Sequence, residues 1–141
     1  MCTNIDDFNR GAALILARLY GSFPVPGPID CTRIDAHDDL DIPEQEREVR
    51  IKQRHVTYSE TVQFLADEGF VRYSSRMAPR SSYFDGVVLS SKGLSALSKA
   101  PPLLGENRRS SIGDLLIDAG KEVAKEAVKS AVRYALSGGM P

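Results

Sequence analysis

The sequence predicts a mixed α+β domain over residues 1–104, followed by a linker and a long amphipathic helix within residues 105–141. Three observations support this fold class. Apolar residues recur at helical spacing near both ends of the chain, two short β-rich runs flank a polar loop, and glycines and prolines stand between these elements. A chain of 141 residues is long enough for one domain with its own core.

The first element is predicted to be a helix that begins at Asn4 or Asp6 and reaches about Tyr20. Gly21 ends it, and a connector with three prolines follows, after which Pro28–Cys31 is expected to form a first strand. The apolar stripe of the helix consists of Ile5, Phe8, Ala12, Ile15, Leu16 and Leu19.

Two helices joined by a very short turn are predicted next. The first runs from Ile42 to about Arg54, and the second from Thr57 to Glu68, with the turn around His55–Val56. Thr57 and Glu60 have the spacing of a capping box, which predicts a helix start at that point. Gly69 is expected to end the second helix in a left-handed conformation that costs glycine nothing.

A β-hairpin is predicted after Gly69. Phe70–Tyr73 and Tyr83–Leu89 are rich in β-formers, the serine-rich segment Ser74–Ser82 between them is a loop, and Gly86 marks a bulge. A short helix should then begin near Ser90, with Leu94 and Leu97 on its apolar side, and end before the two prolines that follow.

This order of elements resembles the winged helix-turn-helix superfamily, with a two-stranded β-hairpin as the wing. The resemblance to bacterial regulators of the MarR and PadR groups is carried by Phe64–Tyr73, which reads FLADEGFVRY, and by Val88–Leu94, which reads VLSSKGL, with Leu97. It covers about 40 of the 141 residues closely and residues 5–100 more loosely. It implies a small bacterial or phage transcription regulator that binds duplex DNA as a homodimer, although winged helices also serve as protein-interaction modules.

Residues for DNA binding can be named on this basis. Thr57, Tyr58 and Ser59 would lie at the start of a recognition helix, where backbone N–H groups favour phosphate, and the Gln63 amide could pair with adenine. The phosphate contacts would come from Arg72, Arg76 and Arg80.

The charge of the predicted recognition helix argues against DNA. Residues 57–68 contain no Lys or Arg and carry Glu60, Asp67 and Glu68, so the helix gains little from counterion release. Across the chain, residues 1–70 carry a net charge of −6 and residues 71–141 a net charge of +5. This asymmetry fits a basic face for a polyanion, a dipolar surface or self-association. The alternative function is an adaptor, immunity-like or assembly module that binds a protein and no DNA.

The last helix is expected to run from Ser110 or Ser111 to about Leu136. Its alanine-rich stripe suits close helix packing, and the residues assigned to a homodimer contact are Ile112, Leu116, Ala119, Val123 and Ala127. Packing onto the chain's own domain and lying on a membrane surface remain as alternatives.

No signature of catalysis or of a cofactor is present. The acidic segment Asp35–Asp41 lacks the spacing of a calcium loop and is interpreted as solvated, Cys31 with His37 is taken as a chance pair, and His55 as a turn or surface residue. We therefore predict no enzyme activity, no metal and no cofactor. Two cysteines, no visible signal peptide and no apolar run of membrane-spanning length indicate a cytoplasmic protein.

Overall fold

The computed structural model describes residues 4–37, 40–78 and 81–98 together with 132, 133 and 136. Within them the chain is a mixed α+β structure. Its elements are α1 (Asn4–Ser22), β1 (Gly27–Asp30), α2 (Glu44–Asp67), β2 (Val71–Arg72), β3 (Ser75–Arg76), β4 (Tyr83–Leu89) and α3 (Ser91–Ser98).

The predicted pair of helices is wrong. Residues Glu44–Asp67 form one continuous helix of 24 residues, and no turn separates its halves at His55–Val56. Thr57 and Glu60, which suggested a cap, lie inside this helix, and two neighbouring hydroxyls bond backwards to its carbonyls. Ser59 Oγ donates to the His55 carbonyl at 2.8 Å, and Thr61 Oγ1 donates to the Thr57 carbonyl at 2.7 Å. A helix-turn-helix is therefore absent from the described residues.

The antiparallel sheet is built around β4. β1 pairs with one edge of β4, while β2 and β3 pair with the other, with Val71 opposite Leu89 and Ser75 opposite Asp85. The pairing of the two predicted hairpin strands is thus confirmed, although the pairing extends into the expected loop at β3. The predicted bulge is also confirmed, because the β1–β4 register shifts beside Gly86, whose φ is +66°.

One apolar core joins the sheet to the helices. Val62 and Leu65 of α2 are fully buried in this core. The other core side chains come from α1, the strands and α3, and include Ile15, Leu16, Leu19, Ile29, Phe84, Val87, Leu89 and Leu97.

Gly11 lets α1 and α2 approach closely. A Cβ atom at Gly11 would lie 2.6 Å from Cδ1 of the fully buried Tyr58 ring, so only a hydrogen fits there. This close approach brings polar side chains of the two helices into contact, and it therefore shapes the ionic cluster described below.

Candidate functional site

The predicted start of a recognition helix lies in the middle of α2. Tyr58 is fully buried and Ser59 is 3% exposed, while Thr57 is half-buried. Two of the three residues assigned to phosphate therefore face the interior. The prediction that Tyr58 and Ser59 lie on the surface is wrong, because α2 continues through both residues and their side chains face the core.

Gln63 and Arg76 contact each other, because Arg76 Nη1 donates to Gln63 Oε1 at 3.4 Å, and each also binds further residues of the protein. The Gln63 amide donates to Asp67 Oδ1 at 2.9 Å, and its oxygen accepts a hydrogen bond from Tyr73 Oη at 2.8 Å. The Arg76 guanidinium donates to the Ser81 carbonyl at 2.8 Å, pairs with Glu60 at 3.2 Å and lies over the Phe84 ring. These contacts brace the hairpin against α2.

The remaining charges on this face are mixed. Arg72 is exposed, and Arg80 lies outside the described residues. Glu60, Asp67 and Glu68 are exposed on the C-terminal half of α2, so the surface beside the hairpin carries carboxylates where a phosphate backbone would approach.

The two sequence segments that resemble winged-helix proteins meet at one structural junction. Ser90 Oγ donates to the Gly69 carbonyl and accepts from the Gly93 N–H, so it caps α3 and ties it to the end of α2. Gly69 has a φ of +85°, as predicted. A Cβ at Gly93 would lie 2.0 Å from the Phe70 carbonyl oxygen. These residues of the motif therefore hold the end of α2, the hairpin and the start of α3 together.

A buried ionic cluster lies between α1, α2 and the segment that follows β1. Its centre is Asp35, whose side chain is 3% exposed. The Arg10 guanidinium donates two hydrogen bonds to this carboxylate, both at 2.9 Å, and Tyr58 Oη donates a third at 2.5 Å. Arg54 Nη1 lies 3.3 Å from it. The expectation that Asp35 is solvated is therefore wrong.

The second carboxylate of the cluster is Asp7, also buried. Arg50 Nη2 donates to it at 2.6 Å, and Arg54 Nε donates at 3.2 Å. Arg54 is 1% exposed and links both carboxylates. Each buried charge thus has opposite charges beside it, which offsets the loss of hydration.

The protonation states follow from these contacts. Burial acts to raise the pKa of Asp35, but hydrogen bonds from Arg10, Tyr58 and the His37 backbone N–H outweigh it and hold that pKa well below its usual range. Burial and the hydrogen bond to Asp35 raise the pKa of Tyr58. The cluster accordingly holds an ionised carboxylate and a neutral phenol, with no proton available for transfer near neutral pH.

His37 and His55 meet at the edge of this cluster. Their Nε2 atoms are 3.0 Å apart, and His37 Nδ1 lies 3.5 Å from Asp35 Oδ2. His37 is buried and has a φ of +59°, while His55 is half-buried in α2. The interpretation of His55 as a turn or surface residue is therefore corrected.

Cys31 does not form a reactive pair with His37 in the described structure. The thiol is fully buried, and burial raises its pKa to about 11. A thiolate is the nucleophilic form of cysteine, so this environment disfavours it.

An open groove lies beside the cluster, where the start of α1 meets the N-terminal half of α2. It encloses about 560 Å³. Val49 and Val56 are 58% and 63% exposed on its wall. Arg50 and Lys52 also line it, and no carboxylate is among the described lining residues, which are completed by Asn4, Gln53 and Thr57.

Among the described C-terminal residues, Val132 and Leu136 contact the core. Val132 is fully buried within the core cluster, and Leu136 packs against that cluster. At these two residues the structure agrees with packing onto the chain's own domain. The residues predicted for a homodimer contact lie outside the described residues, namely Ile112, Leu116, Ala119, Val123 and Ala127.

The ionic cluster was not predicted from the sequence, because its arginines occupy positions on α2 where a core residue is normally apolar. Arg47, Arg50, Arg54 and Tyr58 recur at three- and four-residue steps along α2. That spacing is the signal that could have identified an inward face, had arginine been considered a core residue.

No protein-family model, curated protein or solved structure matches the chain. Within the described part of the chain, every helix is too short or too polar to cross a membrane.

Proposed function

We propose that this chain is a non-enzymatic protein-interaction module whose α1–α2 groove binds an amphipathic, acidic helical segment of another protein. The observation that carries the proposal is the exposure of Val49 and Val56 in a groove lined by Arg50 and Lys52. Apolar side chains would fill the groove, and carboxylates beside them would meet the two cations.

The energetic argument concerns the two valines. They stand one above the other at a seven-residue step on α2, so they present a continuous apolar ridge. Burial of apolar surface contributes roughly 25 cal/mol per Å², and a helix laid against this ridge would remove it from water. Arg50 is held in place by Asp7, and Lys52 lies 3.5 Å from the exposed Glu48, so the carboxylates of a partner would add to or replace these ion pairs.

The proposal also takes into account the resemblance to the winged helix. The sheet order β1–β4–β2 and the hairpin next to α2 support that resemblance, whereas the continuous α2 departs from a helix-turn-helix. Because the turn that normally presents a recognition helix is missing from the described residues, a surface other than that helix is the better candidate for contact.

DNA binding by a homodimer is the second candidate. The observation that favours it is the exposed Arg72 at the base of the hairpin, beside a loop that contains Arg80 in the sequence. Against it, Arg76 and Gln63 are engaged within the protein, and the exposed end of α2 carries carboxylates.

Photo-crosslinking from the groove tests the proposal. A benzophenone side chain at position 53 should cross-link to one protein in nuclease-treated host extract. Val56→Asp should abolish the cross-link, while Val25→Asp should preserve it. Val25 is a matched control because it is 65% exposed, as Val56 is 63% exposed, but it does not line the groove.

The cross-linked segment should then be identified by mass spectrometry and synthesised. The proposal predicts an amphipathic peptide with carboxylates, whose affinity falls with salt and with Lys52→Glu. If the Val56→Asp and Val25→Asp variants cross-linked equally, the partner would not bind in the groove. A salt-sensitive mobility shift of duplex DNA that is lost in Arg72→Glu would support the second candidate instead.

A further inference from the structure

The two histidines meet through their ring tips. The Nε2 atoms are 3.0 Å apart while the ring centroids are 5.0 Å apart, and the rings are tilted by 56°. If the rings were stacked, the distance between their centroids would be similar to the distance between their Nε2 atoms. Each Nε2 therefore faces the other ring, and one ion beside the line between the two nitrogens would lie within reach of both.

We propose that His37 and His55 bind a divalent transition-metal ion of borderline softness, such as Zn²⁺, through their Nε2 atoms. At a metal–nitrogen distance of about 2.0–2.1 Å, nitrogens that lie 3.0 Å apart subtend nearly a right angle at the ion. A small rotation of either ring widens this angle toward the tetrahedral value. The pair therefore fits one shared ion.

The other nitrogen of His37 faces a carboxylate, at a distance longer than that of a hydrogen bond. Nδ1 is buried without a hydrogen-bond partner among the described atoms, and it lies 3.5 Å from the Asp35 carboxylate. A carboxylate beside Nδ1 favours the tautomer that carries its proton there, which leaves the Nε2 lone pair directed at His55. Asp35 is itself held by Arg10 and Tyr58, so this orientation is fixed.

The backbone of His37 provides an independent observation. Its φ of +59° is uncommon for a residue other than glycine, and Arg47 holds the segment by donating to the His37 and Leu40 carbonyls at 2.9 and 2.8 Å. Backbone held in a sparsely populated region is frequent at binding sites. Here it turns the His37 ring toward α2.

The described residues offer two ligands to such an ion, the Nε2 atoms of His37 and His55. Within residues 4–37, 40–78 and 81–98, no third His, Cys, Asp or Glu completes a three-residue metal group. Water would take the remaining positions, so binding should be weaker than in a four-ligand structural site.

Titration of the tag-free full chain with Co²⁺ tests this site. The visible absorption of bound Co²⁺ should saturate at one ion per chain, and Zn²⁺ should displace it. His55→Gln should weaken Co²⁺ binding by about tenfold or more, because one of two protein ligands is lost. Asp41→Asn is the matched control, since it removes an exposed carboxylate from the same segment and should leave the affinity unchanged.

Ca²⁺ separates the histidines from the acidic residues nearby. A site of imidazole nitrogens should not exchange Co²⁺ for Ca²⁺, which prefers oxygen ligands. Displacement by Ca²⁺, unchanged binding in His55→Gln, or no saturable absorption would each overturn the proposal and leave the pair as a hydrogen bond.

A spectroscopic measurement on the unsubstituted protein covers the case in which His55→Gln fails to fold. Substoichiometric Co²⁺ should broaden the imidazole resonances of both histidines ahead of all others in the NMR spectrum. Uniform broadening, or none, would contradict the site.

Discussion

Asp35 is the residue on which the ionic cluster depends. Its carboxylate accepts hydrogen bonds from Arg10, Tyr58 and the His37 backbone, and it faces Arg54. Removal of one partner from a buried ion pair leaves the other charge uncompensated and costs about 3–5 kcal/mol. A neutral side chain at position 35 should therefore be costly although its shape is almost unchanged.

Asp35→Asn is expected to lower the free energy of unfolding by about 3 kcal/mol at pH 7, as measured by urea denaturation. The loss should depend on pH. The folded-state pKa of Asp35 lies below its ordinary value of 3.8, so the carboxylate stabilises the protein fully above that value. This contribution is lost as the pH falls below 3.8 toward the folded-state pKa. The difference between the two proteins should therefore shrink below about pH 4.

Glu44→Gln is the control for this experiment. Glu44 is exposed at the start of α2, and its substitution should change stability by less than about 0.5 kcal/mol. If Asp35→Asn were equally mild, or if its effect did not depend on pH, the carboxylate would not be a buried anion in solution.

At the scale of elements, α2 shows why the sequence predicted one feature correctly and another wrongly. The end of the helix was predictable, because Gly69 adopts a conformation that side chains resist. The break at His55–Val56 was predicted from the capping-box spacing of Thr57 and Glu60. No glycine or proline interrupts residues 44–68, so nothing in the chain forces a break there. A cap signal alone marks a place where a helix can start, not one where it must.

The buried face of α2 was not predicted from the sequence either. Hydrophobic periodicity identifies a buried face only when apolar residues occupy it, and here Arg50 and Arg54 do. Their partners Asp7 and Asp35 are remote in sequence, on α1 and after β1. Such a pairing depends on tertiary geometry, so a single sequence offers no signal for it.

The contact between α1 and α2 gives a prediction for Gly11. Alanine is the better helix former by about 1 kcal/mol, but a Cβ 2.6 Å from the buried Tyr58 ring would force the helices apart, and such overpacking costs about 1–3 kcal/mol. Gly11→Ala should therefore lower the unfolding free energy by up to about 2 kcal/mol, measured by chemical denaturation.

Gly27→Ala provides the comparison, since nothing lies within 4 Å of a Cβ at that position. It should leave stability within about 0.5 kcal/mol of the parent protein. A stabilising Gly11→Ala would mean that helix propensity outweighs the clash and that the two helices are farther apart than described.

At the scale of the whole molecule, the structure of residues 69–98 was easier to predict from the sequence than that of the residues before them. The two hairpin strands and the helix after Ser90 were recognisable because glycines and hydroxyls fix their ends locally. The strands were predicted as Phe70–Tyr73 and Tyr83–Leu89 and are observed as Val71–Arg72 and Tyr83–Leu89. The groove and the histidine pair were not predictable, since each is formed by residues from separate elements. Both depend on how these elements pack against each other, which the spacing of residues along the sequence does not predict.

The C-terminal segment supplies the last prediction, because Val132 enters the same core as the sheet and helices. Val132→Ala removes two buried carbon atoms and leaves a small cavity, so it should lower the unfolding free energy by about 2 kcal/mol. Arg133→Ala, at the exposed neighbouring position, should have little effect. Because a homodimer would become more stable at higher protein concentration, both variants should be melted at several concentrations. A loss in Val132→Ala together with a concentration-dependent midpoint would place this segment between two copies of the chain, whereas a concentration-independent loss would place it on its own domain.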